Sequence, residues 1–284
     1  MQRICFYHAG CPDGFGAAWS AWRSWKDEGR YVPRGHDHSI EVSEYADAWV
    51  AYVDIAPDNE ELLGLAAVAA QVTILDHHVS ARDRYLSDTA VVNRVEALGH
   101  EVVFDMQQSG AMLAWNYFSE GASAPELLRY VEDQDLWNWQ LPDSAEVNAA
   151  IAAYPRRFEV WDELSQRPIA ELVSEGRSIV RANRMEVERM LASAHRLSVD
   201  DKYVEAVNAT HVRSAIGHEL AERKAYGLAW SCVYRITRDQ VHATLYSIGD
   251  VDVAAIAAIY GGGGHRNASG FSVSLEDWTE HFCG

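Results

Sequence analysis

Five short stretches of the 284-residue chain carry side chains suited to chemistry. His8 closes an apolar run, and Asp13 lies in the turn after it. Asp54 ends a second apolar run, and Asp76-His77-His78 ends a third. Glu132-Asp133-Gln134-Asp135 adds two aspartates, and four glycines at 261–264 precede His265 and Arg266. Carboxylates and imidazoles gathered in one place make a mixed oxygen and nitrogen site for a divalent cation. Imidazole favours Mn²⁺ over Mg²⁺, with other divalent ions as alternatives. Such an ion acidifies bound water and neutralises phosphate oxygens. An Asp-His-His triplet alone is weak, because a polar loop after a strand reads the same way. Three acid- or His-bearing strand ends in one chain make the metal reading the stronger. Asp133 and Asp135 alone would read as a solvated helix end; beside the other three stretches they offer a fourth corner.

The glycines let backbone approach a ligand closely, and their N–H groups form an anion nest. Arg266 adds a guanidinium able to grip phosphate with two hydrogen bonds. Ordering four glycines is costly in entropy, which argues against a bare turn.

The elements that must position these residues alternate. Residues 3–8, 48–54 and 72–75 read as strands, with helices at 14–25 and 58–70 between them. Asp58 caps the second of these helices, with Glu60 and Glu61 in its first turn. This alternation predicts right-handed βαβ units and a parallel sheet, whose carboxyl edge is where ligands collect. Residues 108–121, 124–136 and 144–154 read as helices. Pro168 opens a run free of further proline to about residue 197, a helix of about 45 Å if continuous. A smaller α/β domain follows, with strands at 203–207, 228–236, 241–247 and 270–274 and helices at 217–226 and 252–260. The expected organisation is a catalytic domain over 1–166, a connecting helix over 167–198 and a substrate-binding domain over 199–284.

Composition narrows the function. The chain has 24 Lys plus Arg against 42 Asp plus Glu, a formal charge of −18. That argues against a firm grip on long duplex nucleic acid, whose affinity comes mostly from cations on phosphates. Short or small phosphorylated ligands need only a local basic pocket. The four cysteines make no C-x-x-C pair, so neither a zinc ribbon nor a disulfide framework is indicated. Neither a signal-peptide core nor a membrane-length apolar run is evident, so a cytoplasmic protein without membrane partners is expected. Trp19, Trp22 and Trp25 share one helix face and read as packing rather than as a base-stacking strip. His36, His38, His100, His195 and His242 have no partner motif. Arg213 reads equally as a phosphate contact or a surface residue. Gly110 is read as a packing glycine.

In this order, Asp76-His77-His78 and the stretch Gly261-Gly262-Gly263-Gly264-His265-Arg266-Asn267-Ala268-Ser269-Gly270 resemble the DHH/DHHA1 phosphoesterases. That superfamily includes RecJ-type exonucleases, short-oligonucleotide and cyclic-dinucleotide phosphodiesterases, and family II pyrophosphatases. The resemblance implies a two-domain α/β fold: a parallel-sheet DHH domain joined by a long helix to a smaller DHHA1-like domain. It implies metal positions at His8, Asp13, Asp54 and His77, with Asp54 bridging two ions. It places His78 near the scissile phosphate, with Asp76 orienting an imidazole. Asp133 is the choice for the fourth-motif carboxylate and Asp135 its rival. Gly262, Gly263, Gly264, His265 and Arg266 match the substrate-holding loop.

One departure stands out. Where the family's first motif commonly carries two aspartates two positions apart, this chain reads Cys11-Pro12-Asp13-Gly14. One of two metal positions is therefore short of a carboxylate, and thiolate is a poor partner for Mn²⁺ or Mg²⁺. The function implied is hydrolysis of phosphodiester bonds in short nucleic acid or cyclic dinucleotides by metal-activated water. The alternatives are a phosphomonoesterase on a small nucleotide, a polyphosphate or pyrophosphate hydrolase, and a non-catalytic ligand-binding protein. The oligomeric state is left open.

Overall fold

The computed structural model describes residues 1–35 and 39–283; His36 and His38 lie outside them. The chain divides into two compact units, Met1–Val180 and Arg181–Gly284.

In chain order the first unit contains β1 (Arg3–His8), α1 (Pro12–Trp25), β2 (Gly29–Arg34), β3 (Trp49–Val53), α2 (Asn59–Val68), β4 (Gln71–Asp76), α3 (Val79–Ser87), α4 (Thr89–Ala97) and β5 (Glu101–Phe104). Helices α5 (Gly110–Phe118), α6 (Glu126–Asp135), α7 (Ser144–Ala152) and α8 (Phe158–Leu164) follow, then α9 (Ile169–Leu191), which continues beyond Val180. The five strands form one sheet in the order β2-β1-β3-β4-β5, and every pairing is parallel. Strands covered on both faces read as near-continuous apolar runs, as Trp49–Val53 does, and the buried Gln71–Asp76 interrupts its run only with Thr73. The chain leaves β1 toward β2 and then returns past β1 to β3. In such an open sheet, that reversal marks the crevice where ligands bind.

Two features of this unit escape the sequence pattern. Strand β2 carries Pro33 and lies at the sheet edge, where proline is tolerated. Its Arg34 is buried and makes a two-pronged pair with Glu61 of α2, at 2.5 and 2.6 Å, while Tyr52 donates to the same carboxylate at 2.6 Å. A charge taken out of water needs such pairing. The tryptophans of α1 do pack: Trp19 and Trp25 are buried, Trp19 stacks on Trp115, and Trp22 stacks on Phe158.

The long helix ends sooner than the sequence suggests, at Leu191. The second unit opens its sheet with β6 (His195–Val199), inside the stretch expected to be helical. Leu197 and Val199 are buried and their neighbours are not, the two-residue alternation of a half-covered strand. Asp200 and Asp201 both have positive φ (51° and 55°), which suits the two-residue turn into β7 (Lys202–Asn208). The rest is α10 (Arg213–Arg223), β8 (Trp230–Thr237), β9 (Gln240–Ser247), α11 (Val253–Ile259), β10 (Gly263–His265), β11 (Ala268–Ser274) and α12 (Leu275–His281). The sheet order is β10-β11-β9-β8-β7-β6, antiparallel except between β7 and β8. Among the described residues no helix is long and apolar enough to cross a membrane.

His218 on α10 is buried against the Tyr246 ring, and desolvation lowers its pKa to about 4. The folded chain therefore refuses a proton that the unfolded chain binds below its ordinary value of 6.5. Stability should fall as pH drops from about 6.5 to about 4. His218→Asn should flatten that fall, which urea midpoints of the two proteins across this range will measure.

Candidate functional site

The sheet register builds the site. Tyr7 pairs with Val53, and Val53 with Leu75. One residue further on, His8, Asp54 and Asp76 therefore form a row across the carboxyl ends of β1, β3 and β4. Asp54 is fully buried and has positive φ (58°), a turn that Asp tolerates better than branched residues. Its carboxylate is divided between neighbours. Oδ1 lies 3.0 Å from His77 Nε2, and Oδ2 lies 3.3 Å from His8 Nδ1.

Two clusters of ligand-type atoms result. Asp13 Oδ2 and Asp135 Oδ2 each lie 3.5 Å from His77 Nε2, and these three residues are grouped closely enough to share a cation. His8, Asp54 and His78 form the second such group. Cys11 lies beside it, with Sγ 3.4 Å from both His8 Nδ1 and Asp54 Oδ2. Asp76 stands behind: its Oδ1 accepts from the N–H of His77 at 2.8 Å and meets His78 Nδ1 at 2.7 Å. That contact fixes the orientation of the His78 ring.

The helices bring their N-termini to the same place. Asp13, in the first turn of α1, accepts hydrogen bonds from Gly110 N–H at 2.7 Å and Ala111 N–H at 3.0 Å at the start of α5. Helix N-termini favour such anions. The approach demands glycine. A Cβ at Gly110 would lie 2.4 Å from Asp54 Cβ, and one at Gly14 would lie 2.2 Å from His8 O. Gly110 therefore packs against the site itself, a role that its place before an apolar helix did not disclose. Cys11 caps α1 through a 3.2 Å bond from Gly14 N–H.

Asp135, and not Asp133, is the aspartate whose carboxylate lies beside His77. Asp133 turns its carboxylate to the backbone N–H groups of Gln140 (2.8 Å) and Leu141 (3.3 Å), and its carbonyl accepts from Asn138 and Trp139. Four N–H groups thus converge on one residue and close the loop after α6. In that loop Trp137 and Trp139 are partly exposed, both at positive φ, with rings 5.0 Å apart. Both aspartates sit near buried apolar neighbours on α6, so helical spacing alone could not choose between them.

Charge in the cluster is unbalanced. Burial raises Asp13 well above the usual carboxylate range, reinforced by Asp135 and Asp54. Burial pushes Asp135 up to about 6. Burial also opposes charge on Asp54, but hydrogen bonds from His77 and His8 prevail and hold it low. Burial works against charge on His77, and Asp54 overrides it and lifts the ring to about 10. Burial raises the Cys11 thiol, as do the neighbouring carboxylates. Asp135 Oδ2 is buried without a hydrogen bond, as a ligand atom awaiting a cation would be. The donor set fits a divalent metal.

In the second unit the glycine stretch is more regular than an open nest. Gly263–His265 pairs antiparallel with β11, from Gly263 opposite Gly270 to His265 opposite Ala268. Arg266 is about half exposed and donates one hydrogen bond to the Asp250 carbonyl at 2.7 Å. Arg213 is held by Thr244 and Val233 rather than standing on the surface.

The chain thus resembles the DHH/DHHA1 phosphoesterases in motif order and has the α/β fold expected of such a protein, with a parallel sheet in one unit and a second sheet in the other. No family model matches it. It is similar to uncharacterized protein R106 of Acanthamoeba polyphaga mimivirus, 25% identical over 293 residues, covering 95% of this chain and 67% of the relative. Among solved structures it is similar to a pGpG-specific phosphodiesterase, PggH from Vibrio cholerae, with a TM-score of 0.47 and 13% identity over 99% of this chain and 96% of that one. An exopolyphosphatase-related protein from Bacteroides fragilis aligns with a TM-score of 0.44 and 13% identity, over 98% and 90%. RecJ of Thermus thermophilus in complex with Mg²⁺ aligns with a TM-score of 0.44 and 14% identity, over 98% of this chain and 48% of its own.

Exchanging the two aspartates separately distinguishes their parts. Asp135→Asn should weaken divalent-cation binding at least about tenfold in isothermal titration. Asp133→Asn should leave that affinity nearly intact and cost about 1–3 kcal/mol of folding stability through lost loop hydrogen bonds.

Proposed function

We propose that the chain is a metal-dependent phosphoesterase of DHH/DHHA1 type that hydrolyses phosphodiester bonds in short oligonucleotides or cyclic dinucleotides. The observation that carries this reading is the divided Asp54 carboxylate, with one oxygen 3.0 Å from His77 of one ligand cluster and the other 3.3 Å from His8 of its neighbour. Bound divalent cations, Mn²⁺ foremost and Mg²⁺ or another as alternatives, acidify water and offset charge on phosphate oxygens.

The residues supply the rest. Asp13, His77 and Asp135 would hold one cation together with Asp54, and His8 with Asp54 would hold the other. Asp76 keeps His78 oriented, and His78 is assigned to the reacting phosphate. The N–H groups of α5 fix Asp13, which keeps the ligands in place without substrate. Gly262, Gly263, Gly264, His265 and Arg266 are assigned to substrate binding, with Arg266 the phosphate donor.

A base-bearing substrate is favoured over bare polyphosphate by the aromatic loop. Trp137 and Trp139 follow Asp135 by two and four residues and are partly exposed aromatic rings, the side-chain type on which bases stack. The charge of −18 favours short substrates. The four cysteines are free, which suits a reducing cytoplasm.

The purified chain with Mn²⁺ should release mononucleotides from a 5′-phosphorylated dinucleotide, and chelation should stop it. Asp54→Asn and His77→Ala should each lower kcat/KM by about 10²-fold or more with native circular dichroism. Orthophosphate released from polyphosphate, with dinucleotide untouched, would turn the assignment to a polyphosphate hydrolase. Retained ligand binding without turnover would turn it to a binding protein. Trp137→Ala should raise KM for the dinucleotide at least about fivefold, since stacking one base is worth about 1–3 kcal/mol, and should leave pyrophosphate binding unchanged.

A further inference from the structure

The two ligand clusters that meet at Asp54 and His77 differ in chemistry. One offers carboxylates of Asp13 and Asp135 with the imidazole of His77. The other has His8 Nδ1, Asp54 Oδ2 and Cys11 Sγ, separated by 3.3, 3.4 and 3.4 Å. These separations are close to the edges of a tetrahedral zinc shell, about 3.4–3.6 Å for nitrogen, oxygen and sulfur donors. Cys11 is held there by the backbone, because its sulfur also caps α1. Thiolate selects borderline and soft cations, whereas carboxylates suit Mn²⁺ and Mg²⁺.

We propose that Cys11, His8 and Asp54 form a thiolate-bearing position selective for Zn²⁺, Co²⁺ or Fe²⁺, beside a carboxylate-rich position for Mn²⁺ or Mg²⁺. The centre is then a mixed-metal pair joined by Asp54. His78 belongs to the same group as His8 and Asp54, so a second imidazole stands beside these three donors. The inference rests on the metal-dependent reading above and adds which ion each half takes.

Cobalt substitution of the full chain tests it without an assay of activity. Sulfur bound to Co²⁺ gives charge-transfer absorption in the near-ultraviolet, apart from the visible bands that report cobalt binding of any kind. The wild-type chain should show both. Cys11→Ser and Cys11→Asp, whose side chains can still cap α1, should keep visible bands and lose the charge-transfer band. Cys283→Ser, altering the exposed cysteine, should keep both. After dialysis against equal Zn²⁺ and Mn²⁺, elemental analysis should find both metals on the wild-type chain. Cys11→Asp should lose at least about tenfold in zinc affinity and bind manganese instead. Visible bands without charge transfer in the wild-type chain, or charge transfer that survives Cys11→Ser, would overturn thiolate ligation while leaving the metal-dependent reading intact. Cobalt that does not bind at all would overturn both.

Discussion

Burying the Asp54 carboxylate is the constraint around which the first unit is arranged. A charge removed from water must be met by partners, and Asp54 meets them with each oxygen separately: His77 on one side, His8 and Cys11 on the other. That division requires the backbone to leave β3 with positive φ and requires α5 to start with a residue lacking a side chain. Asp13 then becomes the link between two helices. It belongs to α1 and is anchored by the N–H groups of α5, so the geometry of the site and the packing of the helices are one problem.

The surrounding core makes such precision affordable in structural terms. Trp19, Trp115 and Trp161 gather behind α1, and Trp25 packs edge-on against Trp49 and Phe118. Large rings with few rotatable bonds resist small displacements of the helix they support. On the far edge, the Arg34–Glu61 pair with Tyr52 ties β2, β3 and α2 together with oriented hydrogen bonds. The second unit is organised differently, by antiparallel pairing in which alternate residues enter the core.

Much of this is legible in the sequence, for identifiable reasons. Buried parallel strands are mainly apolar, and each of the three that carry the site is closed or immediately followed by a polar residue, so His8, Asp54 and Asp76 stand out. Asp58 is recognisable as a cap because a helix must satisfy its first N–H groups, and it accepts from Glu61 N–H as expected. What is not legible depends on long-range contact. Nothing near Gly110 in the chain reveals Asp54 pressing against it. Asp133 and Asp135 differ only in what the following loop demands, and that demand is met by N–H groups up to eight residues away. Strand β6 is hidden because His195-Arg196-Leu197-Ser198-Val199 is short, and its pattern emerges only with β7 beside it. The edge strands β2 and β5 lack a continuous apolar run, for they are covered less completely.

The register of the parallel sheet carries a consequence for how the protein matures. The ligand row exists because three strands, drawn from residues 3 to 76, stop at one level. A slip of β4 by a single residue would reverse which face each of its side chains takes and carry Asp76, His77 and His78 out of line together. An incompletely assembled chain therefore holds no half-strength version of the pocket. During synthesis or refolding, capture of an ion would come late and abruptly, and any ion captured would act as a clasp on the finished sheet rather than as a seed for building it.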